Sequence, residues 1–419
     1  MTKLTIVQTE FLKILKSFMR DKAYALPEDF AGLEELFLMA QKHQMTAAVY
    51  EQIRGDRIWQ TADYRVLFQS WKRSTIRDVM LQVQRAEGFL AVYEKLCATE
   101  IKPLVVKGFI CRNMYSKPDY RISGDEDILV SRGDFAKCDE ILRQAGFQRP
   151  EPEGEGLPYE IPYVNTANGV YIELHFSLFP ESSDAYGHLN EEFALVHEHC
   201  ICEEIQGKKI WTLGPTEHLF YLICHSFKHF LHSGFGLRQV CDMVMMAERW
   251  GERIDWNDLQ ERLGRLNMKT YWDALVQIGV EYFGFSYAKA CYPVYLRNEQ
   301  VDCGMLLEDL LDSGIYGDSS MERKHSSNMT LTAAAGGKAN TAASLKNSLF
   351  PDEEYMQKSF PWLKKCPWLL PVAYGIRICR YLKVSGRKNG SEDGAKDQRS
   401  SVQIGVERVE LLRQYDIIE

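Results

Sequence analysis

The stretch Ser123–Ser131, SGDEDILVS, sets three acids directly against an apolar run. Acids are depleted in strands and Ile-Leu-Val is strand-like, so the junction marks a buried strand that begins on charge. Alternate residues of a strand share a face. Asp125 and Asp127 therefore point the same way, about 7 Å apart at Cα, and Glu126 points the other. Two carboxylates on one face either repel each other or share a cation. The flanking sequence decides which.

Upstream, KPLVVKG (residues 102–108) is a short apolar run ending in Lys107-Gly108, which predicts a buried strand entering a tight turn. FICRNMY predicts one or two helical turns and SKPDYRISG a loop. Downstream, RGDFAKCDEILRQAGF reads as a helix with Phe135, Cys138, Ile141 and Leu142 on one face and Gly146 at its C-terminal cap. After the acidic loop PEPEGEGLP come YEIPYV and VYIELHFSL, joined by Asn165–Gly169, a hairpin signal. Along the second of these strands Glu173 and His175 face away from Ile172 and Leu174. If that strand lies beside DEDILV, Glu173 joins the Asp pair. Three carboxylates on one sheet face suit hard divalent cations, Mg²⁺ or Mn²⁺, and two such ions make a clamp for phosphoryl or nucleotidyl transfer. EEIQGKKIWTL predicts a second small hairpin.

Residues 1–98 read as helical. Ile76, Met80, Val83, Leu90, Tyr93 and Cys97 recur at helical spacing and predict a core-facing stripe. After Pro215, with Thr216 as the expected N-cap, helical texture returns and runs to about residue 300. His218, His225, His229 and His232 fall within about 60° of one helix face. His225 and His229, four apart, suit a Zn²⁺ chelate, but the motif His-Ser-Phe-Lys-His lacks the Glu of a metalloprotease signature, so a cleft-lining role is preferred. His197–Cys202 (HEHCIC) has no second ligand cluster at finger-like spacing and is expected to be a loop or strand edge. Arg121, four residues before Asp125, is positioned to pair with the carboxylates or with phosphate.

With 419 residues, the chain exceeds one ordinary core. Hydrophobic residues at 45% and charged residues at 26% place it among soluble globular proteins. A net charge of −8 offers no excess cation for phosphate backbones, so nucleic acid is not the expected partner. The 11 cysteines contain no CxxC pair, the N-terminus lacks an apolar core of signal-peptide type, and the longest apolar stretch, residues 366–376, is too short to span a bilayer. A cytoplasmic protein without membrane contact is expected.

The order strand, Lys-Gly, short helix, Asp-x-Asp and hairpin with Glu resembles the DNA polymerase β-like nucleotidyltransferase superfamily. It is closer still to its family of uncharacterised bacterial nucleotidyltransferases. The residues that carry this are LVVKG, Tyr115, Arg121, GDEDILV, Glu173-Leu174-His175, the helix with His225, Lys228 and His229, then Arg238 and Asp242, and the C-terminal LFP and PWLLP. Together they span about residues 30–385. Two features depart from the superfamily pattern: Phe109 follows Gly108, and Glu126 stands inside Asp-x-Asp.

The resemblance implies an α+β protein, with a nucleotidyltransferase-type mixed sheet flanked by N-terminal and C-terminal helical domains. The expected division is an N-terminal helical region 1–98, a core 99–213, a helical domain 214–313 forming the other cleft wall, a flexible insertion 314–347, and a C-terminal helical region 348–419 with a linker at 385–400. It implies transfer of a nucleoside monophosphate from an NTP, ATP included, to a hydroxyl or phosphate of a small-molecule or protein acceptor. Asp125, Asp127 and Glu173 are expected to hold the metals, with Glu173 nearest the attacking oxygen. Lys107, Gly108 and Arg121 are expected on the nucleotide, Lys107 by charge and Gly108 by amides at the following helix start. His175, His225, Lys228, His229, Arg238 and Asp242 are expected along the acceptor cleft. Two other readings stand beside this one. A non-catalytic, antitoxin-like relative acting by partner binding is favoured by Phe109 and Glu126; a zinc-dependent hydrolase would use the histidine stripe.

Overall fold

The computed structural model describes residues 4–150, 158–314, 321–335, 356, 360–364, 367–376 and 401–418. Helix α1 (Ile6–Met19) starts on a capping box, in which Thr5 Oγ1 accepts from Gln8 N–H and the Gln8 side chain accepts from Thr5 N–H. It buries Phe11, Ile14, Leu15 and Phe18 against α3 (Thr46–Ile53) and α10 (Lys269–Phe283). Helix α2 (Leu33–Lys42) completes this layer.

Helix α4 (Arg65–Cys97) is 33 residues long. Its buried face carries Trp71, Thr75, Gln82, Ala86, Phe89, Tyr93 and Leu96. The expected stripe holds only in the second half, where Leu90 and Tyr93 are buried. Ile76 and Met80, at 48% and 66% exposure, lie on the outward side together with Val83. Apolar residues occupy both sides of this half-helix, and tertiary packing selects the side bearing Trp71.

The sheet has the order β1-β2-β4-β3, with β1 (Leu104–Val106) and β3 (Glu160–Asn165) antiparallel to their neighbours and β2 (Glu126–Leu129) parallel to β4 (Val170–His175). The short α5 (Gly108–Arg112) follows β1, and α6 (Phe135–Gln144) carries the chain from β2 toward the β3–β4 hairpin. Gly169, at φ 70°, closes that hairpin where a side chain would be strained. Strands β5 (Ile201–Ile205) and β6 (Lys208–Thr212) pair separately. The combination of a small mixed sheet with helices before and after it is α+β.

Helix α7 (Pro215–His232) crosses the mouth of the sheet and packs against α8 (Leu237–Trp250) and α9 (Trp256–Arg265). Thr216 is not its N-cap. Gly214 holds that place, Pro215 is the first helical residue, and the Thr216 hydroxyl instead accepts from Asp255 N–H at the start of α9. Beyond α11 (Gly304–Ser313), the segment expected as a flexible insertion contains α12 (Met321–Ala334). Its Met329, Thr330 and Ala333 are buried against α7 and α13 (Ser401–Gln414). The expected linker 385–400 and acidic loop 151–157 lie outside the described residues. No described helix is long and apolar enough to cross a membrane.

Candidate active site

Register builds the site. Asp127 on β2 pairs with Glu173 on β4, and Val106 on β1 pairs with Asp127 on the other side. The parallel pairing puts both carboxylates on one face at the strand ends, Asp125 enters from the residue just before β2, and α7 closes the far wall. A cavity of about 240 Å³ lies between them. The twelve residues expected to hold metal, nucleotide or acceptor all line it: Lys107, Gly108, Arg121, Asp125, Asp127, Glu173, His175, His225, Lys228, His229, Arg238 and Asp242.

They form three groups. The first is the carboxylate cluster. His175 Nε2 lies 3.0 Å from Asp127 Oδ1 and 3.6 Å from Glu173 Oε2, and Lys107 Nζ lies 3.0 Å from Asp127 Oδ2 and 3.7 Å from Asp125 Oδ2. Burial opposes ionisation of Asp127, but the Lys107 and His175 charges outweigh it and hold the carboxyl below the usual range. Burial also pulls the His175 imidazole down, but its bonds to Asp127 and Glu173 win and raise it to about 9, so the ring is a cation at neutral pH. Glu173 is pushed up by burial, against the pull of its bond to His175. Among the described residues, the grouping of three or more His, Cys, Asp or Glu able to share a metal ion is Asp127, Glu173 and His175. His175, expected on the acceptor side, instead sits among the carboxylates and bonds Asp127 and Glu173, while Asp125 lies beside Lys107. Asp127 Oδ2 is buried and accepts no aligned hydrogen bond, only the ion pair with Lys107. A carboxylate oxygen so placed, beside further carboxylates, is a donor set that fits a hard divalent cation.

The second group is closed. Arg121 grips Asp242 through Nη2–Oδ2 at 2.5 Å and Nε–Oδ1 at 3.1 Å, and Tyr115 donates to the same Oδ1 at 2.9 Å. The Arg121 guanidinium is therefore engaged by Asp242 of α8 rather than by the carboxylate cluster. Burial would lower its pKa, and the Asp242 charge raises it instead. Arg238 ties the same loop down by donating to the Ile122 carbonyl, and it also reaches Gln44. The family-like Tyr115, Arg121, Arg238 and Asp242 are one buried clamp on the loop that delivers Asp125.

The third group is the α7 wall. His225 and His229 face each other at 3.2 Å between Nε2 atoms, so one ring donates and the other accepts. Burial, reinforced by Lys107, keeps both neutral, with His229 lowered to about 3. The pair belongs to no described three-ligand grouping, which leaves a zinc site on the stripe incomplete. Lys228 stacks over the Tyr159 ring at 5.5 Å, its pKa lowered by burial.

Two further findings concern the Lys-Gly turn. The expected amide donor at the helix start is already committed: Phe109 N–H donates to Glu126 Oε2 at 2.6 Å. Helix α5 also has only five residues, too short to present an anion site at its N-terminus. Gly108 matters for space instead. A Cβ there would lie 2.4 Å from Glu126 Oε2 and 2.9 Å from the Asp125 carbonyl oxygen. Glu126, facing the opposite side of the sheet as alternation requires, is buried, which raises its carboxyl to about 7.

Lys107 adopts φ 70° and ψ −115°, a region that costs a residue with a side chain about 1–3 kcal/mol. A relay holds it there. Its N–H donates to His218 Nε2, His218 Nδ1 meets Thr212 Oγ1, and Thr212 donates to the Val105 carbonyl. Sequence reading placed His218 on the polar stripe but missed this bracing role, which depends on the β1–β6 contact. It also missed Glu160, the β3 partner of His175 and 3.5 Å from its Nδ1; counting back from the Asn165–Gly169 turn would have found it.

A family model described as "Uncharacterised nucleotidyltransferase" matches residues 31–284. Among solved structures, an antigenic nucleotidyltransferase-like protein from Paracoccidioides brasiliensis is similar at 14% identity, covering 45% of this chain and 88% of that one, with a TM-score of 0.29. No curated protein matches.

Proposed function

We propose, from the premise that the chain belongs to the uncharacterised nucleotidyltransferase family, that it moves a nucleoside monophosphate from an NTP to a hydroxyl or phosphate of a small-molecule or protein acceptor. The observation that carries this reading is the register of Asp127 against Glu173, with Asp125 beside them, in one cavity opposite a basic wall. Asp125, Asp127 and Glu173 would hold Mg²⁺ or Mn²⁺, which supplies activation of the attacking oxygen and neutralisation of phosphate charge. The chain's own groups do the rest. Lys107 meets the triphosphate by charge. Glu173, whose carboxyl is pushed up by burial, takes the proton of the attacking hydroxyl. His225, Lys228 and His229 line the acceptor side, and the Arg121–Asp242 clamp holds the Asp125 loop in place.

A second reading, a non-catalytic module that binds a partner, rests on Glu126 having taken the Phe109 amide. Incubation with each labelled NTP, Mg²⁺ and a panel of small hydroxyl, phosphate and protein acceptors separates the two. Nucleotidyl transfer predicts a labelled product from wild type and none from Asp127→Asn. Binding of Mg·NTP without product from any acceptor supports the module.

A further inference from the structure

The carboxylate cluster already contains a cation that belongs to the chain. The Lys107 ammonium lies 3.0 Å from Asp127 Oδ2 and 3.7 Å from Asp125 Oδ2, on two of the carboxylates that would hold a metal. Its side chain is only 17% exposed, so this contact lies inside the cavity rather than at its mouth. The third neighbour of the ammonium is His225 Nε2 at 3.4 Å on the α7 wall. Lys107 thus stands between the acidic wall and the basic wall. Its backbone is locked by His218, and its four-carbon stem leaves the charge free to swing.

We propose that Lys107 is a resident counter-ion that excludes bare divalent metal from Asp125 and Asp127 until a triphosphate draws the ammonium away. This rests on the nucleotidyl-transfer reading of the same carboxylates. Two cations at the Asp125–Asp127 pair repel each other, so metal alone must displace Lys107 from both carboxylates toward α7, where its neighbours His225 and His229 are neutral and Lys228 is a like charge. A nucleotide supplies the missing anion. The ammonium moves onto phosphate oxygens, the carboxylates are released, and metal and triphosphate bind with positive coupling in both directions. Metal loading is therefore a consequence of nucleotide binding, and the protein holds little metal between turnovers.

The test is binding of Mn²⁺ alone, read by electron paramagnetic resonance or calorimetry, to wild type and to Lys107→Met, Lys107→Gln and Lys107→Arg. Two neutral variants of similar reach are used so that poor folding of one leaves the other decisive; each is checked by circular dichroism. The neutral variants should bind bare Mn²⁺ at least tenfold more tightly than wild type and Mg·ATP about ten- to a hundredfold more weakly. Lys107→Arg, which keeps the charge, should bind bare Mn²⁺ as weakly as wild type. Bare-Mn²⁺ affinity unchanged or lowered in both neutral variants overturns the counter-ion role, and leaves the transfer reading standing if wild type still binds Mg·ATP. Failure of every form to bind Mn²⁺, with ATP or without it, overturns both.

Discussion

Two acid–base clusters face the same cavity, and they differ in kind. Around Asp242 every contact is closed: a bidentate arginine at 2.5 and 3.1 Å, a tyrosine at 2.9 Å, and ion-pair side chains only 4% exposed. Around Asp125, Asp127 and Glu173 the contacts are long and unevenly shared. Lys107 spans 3.0 and 3.7 Å, His175 spans 3.0 and 3.6 Å, and Asp125 and Glu173 are 23% and 24% exposed. A planar fork matched to one carboxylate fixes a loop. A point charge stretched between two carboxylates holds them together loosely and can be exchanged. Similar residue types thus divide into a brace and a reactive set according to how completely their lone pairs are used.

The largest effect that sharpens this contrast is kinetic. Glu173→Gln keeps shape and volume but removes the negative charge proposed to lie beside the attacking oxygen. Turnover should fall by about 10³-fold or more while Mg·NTP still binds, the pattern of an interaction made mainly in the transition state. Transfer at the wild-type rate would remove Glu173 from the reactive set and direct attention to His175 or Glu160.

Stability probes the other side. Arg121→Ala strands a buried carboxylate and should cost about 3–5 kcal/mol in denaturant unfolding. Asp125→Asn, at the loose and partly exposed cluster, should change stability by less than about 1 kcal/mol. Equal losses from the two would erase the distinction between brace and reactive set.

The smallest expected effect tests the relay behind Lys107. Burial lowers the His218 pKa to about 3, against an ordinary value near 6.5, so the folded protein keeps this ring neutral where the unfolded chain takes up a proton. The unfolded state then binds more protons below pH 6.5, and stability falls as pH drops from there toward 3. His218→Gln should recover about 1–2 kcal/mol of the wild-type stability loss between pH 6.5 and pH 5. Parallel curves for variant and wild type would show that His218 is not the buried neutral group assumed.

Much of this was legible because strand alternation is rigid. Once DEDILV and VYIELHFSL are read as strands, the faces of Asp127, Glu173 and His175 follow, and only the pairing of the strands is left to assume. Helical periodicity specified less. Ile76, Met80 and Val83 form a genuine stripe, but the opposite face holds Trp71 and Ala86, and only the fold decides which side is buried. Lys107 and Arg121 show the same limit for charge. Both precede Asp125, and nothing local tells that Arg121 reaches 121 residues along the chain to Asp242 while Lys107 stays with the Asp pair. The Thr216 hydroxyl lost its capping role because Pro215 and Gly214 begin the helix, and because a donor from Asp255 competed for it. The Ser, Gly, Ala and Thr content of 314–347 predicts a flexible insertion, yet the weak helix former at Met321–Ala334 is held by its contacts with α7 and α13.

The central claim is that Asp125 and Asp127 hold metal for a bound nucleotide. Calorimetric titration of Mg·ATP into wild type and Asp127→Asn tests it most directly. The account predicts a saturable wild-type isotherm and a loss of affinity of a hundredfold or more in a variant that keeps the wild-type circular dichroism spectrum. Equal affinity for Mg·ATP in the two proteins would contradict it.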